Sequence, residues 1–205
     1  MRKPPTHSRA GFTLVELLVG ATLSAAVMAA VLSSYIYLGK SLARLANQQT
    51  LETEARRTLG YFARDVQMAT GLSGTPSATT FALTVPTGTG TNTITYYYNN
   101  GGATPINING TSVTMIANSL TRCVYNGTTV TPQTLLNNIT TGGLNFYYYD
   151  TSGNIYTTYT DYLSGIKQLM FQFSTQTGVS SNGTQTLVYQ AASNRLIVRN
   201  KALLP

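Results

Sequence analysis

The hydrophobic and polar positions divide the chain into two unlike halves. From Phe12 to Leu38 apolar residues follow one another with a single carboxylate among them, Glu16. That run has 27 residues, and a helix needs about 20 apolar residues to cross a bilayer. Beyond Leu38 the pattern turns amphipathic. Leu38, Leu42 and Leu45 step by four and three, and Ala55, Leu59, Phe62 and Val66 repeat the helical spacing. Glu52, Glu54, Arg56, Arg57, Arg64 and Asp65 fall between them and read as a solvated polar face with i,i+4 neighbours. No proline interrupts Gly11 to Thr75, and Gly20, Gly39 and Gly60 are weak interruptions. The pattern predicts one helix from about Phe12 to Ala69, about 87 Å long at 1.5 Å per residue. Gly71, Gly74 and Pro76 end it.

From Ser77 the composition shifts to Thr, Tyr, Asn and Gly with β-branched residues, which marks strands and turns. Strands are expected at Thr80–Val85, Thr93–Tyr98, Ser112–Ala117, Ser119–Tyr125, Leu144–Tyr149, Ile155–Tyr159, Ile166–Ser174, Thr186–Gln190 and Arg195–Arg199. Asn99-Asn100-Gly101-Gly102 and Asp150 to Asn154 read as hairpin turns, because Asn and Gly tolerate positive φ. Thr134 to Asn138 reads as a turn of helix, and Thr87–Thr91 and Thr177–Gln185 as mobile loops. Leu169, Phe171 and Phe173 alternate, as do Leu196 and Val198, so one face of each strand should meet a core.

Charge changes the picture through its placement. Arg2, Lys3 and Arg9 precede the Gly11-Phe12 junction; without that leader ten basic and six acidic residues remain. Beyond Leu72 the charged residues are Arg122, Lys167, Arg195, Arg199, Lys201, Asp150 and Asp161. So sparse a set disfavours an electrostatic nucleic-acid binder. Cys123 is the single cysteine, so no intrachain disulfide can form, and a buried thiol is expected. His7, the single histidine, lies in the leader. No Ser-His or Cys-His pair and no histidine metal site can be built in the remainder. No cofactor is expected.

Gly11-Phe12-Thr13-Leu14-Val15-Glu16-Leu17-Leu18, behind a basic leader and ahead of the apolar run, resembles the prepilin motif of type IV pilins and type II secretion pseudopilins. The resemblance implies cleavage after Gly11 by a prepilin peptidase and methylation of the new Phe12 amine. It also implies that Glu16 pairs with the terminal amine of a neighbouring subunit during assembly. An unpaired carboxylate in a membrane is unfavourable, so pairing is physically reasonable. Two readings compete with it. Glu16 could snorkel or stay protonated, and an ordinary signal could be cleaved near Ala29 or Ala30. In the second half, Leu135-Leu136-Asn137-Asn138-Ile139-Thr140, then Leu144 to Asp150, then Leu163 to Leu169, then Val198-Arg199-Asn200, is similar to J-type minor pseudopilins and W-type minor pilins.

The resulting expectation is an α+β chain. Residues 1–11 form a leader that is removed, 12–38 a transmembrane helix, 39–70 its amphipathic continuation, and 71–205 an antiparallel β domain packed on that continuation. The expected partners are the peptidase/methyltransferase, other pilin or pseudopilin subunits and inner-membrane lipid, with the β domain outside the cytoplasm. The expected function is a minor pilin or pseudopilin at the tip or initiation complex of a filament. The competing class is a tip module contacting DNA or a surface through Tyr96–Tyr98, Tyr147–Tyr149 and the basic end Arg195, Arg199 and Lys201. A membrane-anchored enzyme, with Asp150 and Asp161 as an acid-base pair, is disfavoured by the missing histidine. A calcium loop at Asp150, Ser152 and Asn154 is outweighed by a plain turn. The Asn-Gly-Thr triplets at Asn109, Asn126 and Asn182, and Asn138-Ile139-Thr140, match the glycosylation pattern by coincidence in an Asn- and Thr-rich chain.

Overall fold

The computed structural model describes residues 11–88, 90–156, 165–179 and 185–198. One helix, α1, runs without a break over Leu14–Met68. Eleven strands follow among the described residues, every pair antiparallel. This is the α+β architecture of a long N-terminal helix and a C-terminal β domain. By contacts the chain separates into residues 1–45 and residues 46–205.

In the first unit no described residue is buried. The second unit holds the core, built from the end of α1 and two sheets. The first sheet has the order β1 (Gly71–Ser73), β2 (Thr80–Thr87), β3 (Gly90–Asn99), β6 (Ser119–Tyr125), β7 (Val130–Leu136). The second is centred on β9 (Gln168–Val179). It pairs with β8 (Ile139–Tyr149), with β10 (Gln185–Ala192) and with β11 (Leu196–Ile197). The spacing read as helical delivers its apolar face: Ala55, Phe62 and Val66 are buried, with Leu51 and Thr58 beside them. Phe62 is the meeting point. Its ring lies 4.6 Å from Phe171 and 6.0 Å from both Phe81 and Tyr96, centroid to centroid, all edge-on. Edge-on aromatic pairs contribute about 0.5–1.5 kcal/mol beyond the area they bury.

Asp65 does not lie on the solvated face expected of it. It is fully buried, and Arg122 of β6 reaches it in a forked pair, Nε to Oδ2 at 2.5 Å and Nη2 to Oδ1 at 3.1 Å. The Tyr96 hydroxyl donates to Oδ2 at 2.8 Å. Burial and the Asp65 charge push the Tyr96 pKa far up, so its hydroxyl stays a donor. Burial works against the Arg122 charge, but hydrogen bonds and attraction to Asp65 outweigh it, and its pKa rises. The expectation failed because Asp65 was read from its own helix, and its partner is 57 residues away. Glu52 and Arg56 do form the anticipated i,i+4 pair, at 2.6 Å on the surface.

Asn99 to Gly102 is not the turn of a hairpin between neighbouring strands. β3 pairs with β6, and the intervening chain makes a separate hairpin of β4 (Thr104–Ile108) and β5 (Thr111–Met115). Asn99 closes its neck, donating from Nδ2 to the carbonyls of Gly102 at 2.8 Å and Ile116 at 3.0 Å. The true turn is Asn109-Gly110, with φ of 48° and 84°, the two positive values a tight two-residue turn demands. The hairpin packs Ile108, Val113 and Met115 over Cys123. Burial pushes the thiol up to about 11.

Other expectations shift similarly. Thr134 to Asn138 is no helical turn, since β7 runs to Leu136 and pairs with β6. Thr87 to Thr91 is no long loop, because Thr87 already pairs with Gly90. The loop expected at Thr177–Gln185 shrinks, since Thr177–Val179 pairs with Gln185–Leu187. In the last two cases Thr and Gly were read as loop formers although a facing strand was available for their backbone groups. Ile155 makes one isolated bridge to Tyr149, the Tyr156 N–H donates to the Tyr148 carbonyl at 2.9 Å, and residues 157–159 of the strand expected there lie outside the described residues.

Candidate functional site: the start of the helix

Gly11, Phe12 and Thr13 lead into α1, which begins at Leu14. Thr13 sits at the N-cap and Glu16 three residues later, the Thr-x-x-Glu arrangement of a capping box. The Glu16 N–H donates to Thr13 Oγ1 at 3.2 Å. In return Thr13 donates to Glu16 Oε2 from its backbone N–H and from its hydroxyl, both at 3.0 Å. Two N–H groups that the first turn would leave bare are thereby satisfied. Such a cap contributes about 0.5–2 kcal/mol to a helix, and a carboxylate in the first turn is further favoured by the helix dipole.

The three residues singled out in the sequence, Gly11, Phe12 and Glu16, fall within six consecutive positions, with Phe12 directly before the cap. Phe12 is 87% exposed, and nothing lies within 4 Å of where a Gly11 side chain would start. Glu16 is held by the chain's own backbone. Thr13 was missed, although Thr-x-x-Glu before an apolar run signals a helix start.

Behind the cap, Leu17, Leu18, Leu23, Val27, Val31, Leu32 and Ile36 are all exposed. The helix is long and apolar enough to cross a membrane. Its hydroxyls suit that medium: Thr22 donates to the Val19 carbonyl at 2.9 Å and Ser34 to Ala30 at 3.0 Å. A polar group in hydrocarbon must be satisfied internally.

The remaining candidates are absorbed by the fold or lie elsewhere. Tyr96 and Tyr98 face the core, as do Tyr148 and Tyr149; Tyr147 is partly exposed. Arg195 stacks its guanidinium 4.1 Å over the Tyr149 ring. Both Asp150 oxygens are taken by Asn154, at 2.8 and 2.9 Å, which closes the turn and lowers the Asp150 pKa. Asn109 and Asn138 occupy positive-φ positions, and Asn126 Oδ1 accepts the N–H groups of Thr128 and Thr129. Asp161, Asn182, Arg199 and Lys201 lie outside the described residues. Among the described residues no three His, Cys, Asp or Glu side chains converge as metal ligands.

Residues 6–32 match a family model described as the prokaryotic N-terminal methylation motif. No curated protein and no solved structure matches the chain.

Proposed function

We propose that the chain, which carries this methylation motif over residues 6–32, belongs to the type IV pilin and pseudopilin family and is a minor subunit at the tip or initiation complex of a pilus or pseudopilus. The motif implies processing by a prepilin peptidase and assembly with other pilin subunits. In our reading the peptidase cuts between Gly11 and Phe12 and the Phe12 amine is methylated. The apolar part of α1 holds the subunit in the inner membrane, with Arg2, Lys3 and Arg9 on the cytoplasmic side and the β domain across it. The minor role rests on the likeness of the second half to J-type pseudopilins and W-type pilins.

The observation that carries the mechanism is the capping box. It fixes the Glu16 carboxylate in the first turn, next to the residue that becomes the terminus. Before assembly Thr13 is its partner. On assembly the terminal amine of a neighbouring subunit takes over, a charge pair formed where little water competes. The filament core is then packed through the apolar helix faces.

The test is the mature N-terminus and its fate. Gly11→Ser should leave full-length protein by mass spectrometry, whereas the unaltered chain should begin at N-methylated Phe12. A mature start near Ala30 would remove the reading. Glu16→Ala should still be cleaved but be depleted from sheared filaments; incorporation at the level of the unaltered subunit would refute the pairing.

A further inference from the structure

The outward face of the second sheet carries a hollow of about 280 Å³ between β8, β9 and β10, and nothing in the assembly mechanism uses it. A break in the pairing makes it. Ile139 lies opposite Thr175 but Leu144 opposite Phe173, so five steps along β8 match two along β9. The surplus residues bulge away from the sheet, as bulged strands do beside binding sites. Gly142, at φ 68°, turns the bulge. Gly143 lines the hollow, and a side chain there would run into Thr140 and the Ser174 carbonyl. The rim is held in place: Thr140 Oγ1 donates to the Ser174 carbonyl at 3.1 Å, Gly142 N–H to Asn100 Oδ1 at 2.8 Å, and the Tyr98 hydroxyl to the Thr140 carbonyl at 3.1 Å. The site is therefore formed before anything binds, which keeps the ordering penalty low.

The chemistry of the lining selects the ligand. Asn145 faces Gln172 across the β8–β9 pair, Ser174 faces Gln190 across β9–β10, and Tyr147 lies two residues on from Asn145. Among the described residues none of these five side chains has a hydrogen-bond partner. Among the described residues no charged side chain lines the hollow. A phosphate or carboxylate ligand would want Arg or Lys, and a cationic one would want a carboxylate. An acyl chain or apolar peptide would meet too many amides. Side-chain amides donate and accept from one end, as ligand hydroxyls do. A tyrosine offers an apolar ring with a polar tip, a wall suited to the C–H face of a sugar ring. We infer that this hollow is a binding site for a neutral carbohydrate, taking one ring of a glycan between Tyr147 and the amides of Asn145, Gln172 and Gln190. The inference does not depend on how the subunit is processed or assembled.

The test uses the full chain in lipid nanodiscs, because sugar-headed detergents would compete. Chitotetraose, maltotetraose and cellotetraose are the neutral probes and tetragalacturonate the anionic control, read by saturation-transfer NMR and isothermal titration. At least one neutral probe should bind and the control should not. Tyr147→Ala and Gln172→Ala should each weaken binding about tenfold, as expected for one lost stacking or hydrogen-bonding partner. Tyr147→Phe, which keeps the ring, should stay within about threefold. Unchanged circular dichroism and thermal midpoint in each variant separate lost binding from lost folding. Absence of binding by all three neutral probes, or binding undiminished in Tyr147→Ala/Gln172→Ala, overturns the inference. So does efficient crosslinking of Gln172→Cys to another subunit in assembled filaments, which would make this face a packing surface.

Discussion

Residues 14–45 and residues 46–68 share one helix and one backbone geometry, yet they treat their side chains in opposite ways. The first stretch is apolar nearly all round as far as Leu38, and none of its residues is buried. The second is amphipathic and sinks Leu51, Ala55, Thr58, Phe62, Asp65 and Val66 into a core. A helix hydrophobic on every side calls for a medium or for other helices; one with a single apolar stripe calls for a sheet. Polar groups follow the same division. In the first stretch they turn back on their own helix, Thr22 to Val19, Ser34 to Ala30 and Glu16 to Thr13. In the second, Thr50, Thr53 and Thr58 also bond back to their own turns and Glu52 pairs with Arg56, but here two groups reach across as well, Asp65 to Arg122 and Thr58 to the Leu135 carbonyl. Self-sufficiency suits a segment that must be stable in lipid; cross-linking suits one that must fix a domain.

The sharpest way to break this contrast is to remove one cross-link. Arg122→Ala should destabilise the β domain by about 3–5 kcal/mol, because it leaves the buried Asp65 carboxylate with only the Tyr96 hydroxyl and the long 3.6 Å approach of Arg64. Chemical denaturation of the full chain in nanodiscs would measure it. The apolar double replacement Asp65→Leu/Arg122→Met should recover most of that loss. A single substitution without measurable effect would mean that Asp65 reaches water.

Solvent exclusion in the β domain can be read from Cys123. Its pKa is raised from 9.0 to about 11 in the folded chain, so the folded state holds its proton where the unfolded state has lost it. The resulting stability is complete below about pH 9 and lost as pH rises towards 11, on the order of 2 kcal/mol in all. The difference in denaturation midpoint between the unaltered chain and Cys123→Ala, followed across that window, should carry the slope. A flat difference would mean that the β4–β5 hairpin does not seal the thiol.

The smallest expected effect belongs to the exposed stretch. Leu32→Ala should change β-domain stability by less than about 0.5 kcal/mol, as surface substitutions do, in the same denaturation assay. An effect as large as that of a core deletion, about 2–5 kcal/mol, would show that this stretch is packed on the domain.

Much of this division was legible in the residues. The apolar run to Leu38, the helical stepping of Ala55, Phe62 and Val66 and the end of the helix before Gly71 follow from local periodicity, and the structure keeps all three. The alternation of Leu169, Phe171 and Phe173 likewise gave the buried face of β9. Thr13 was legible too, through its Thr-x-x-Glu spacing to Glu16. What local pattern could not show was anything made by distant pairs. Asp65 looked like a surface acid because its partner lies on β6. Asn99 looked like a turn because the hairpin whose neck it closes begins beyond it. The hollow on the second sheet needed the register break in β8, which depends on the partner strand rather than on Gly142 and Gly143 themselves.

The hairpin over Cys123 has one practical consequence. The chain's only thiol is sealed and stays protonated at ordinary pH, so maleimide and disulfide-forming reagents should find almost nothing to label in the native protein. A cysteine introduced at Phe12, at Gln172 or along the exposed helix would therefore report its own surroundings against a silent background. The proposed neighbouring subunits, lipid and glycan could each be mapped in this way without first engineering the native residue away.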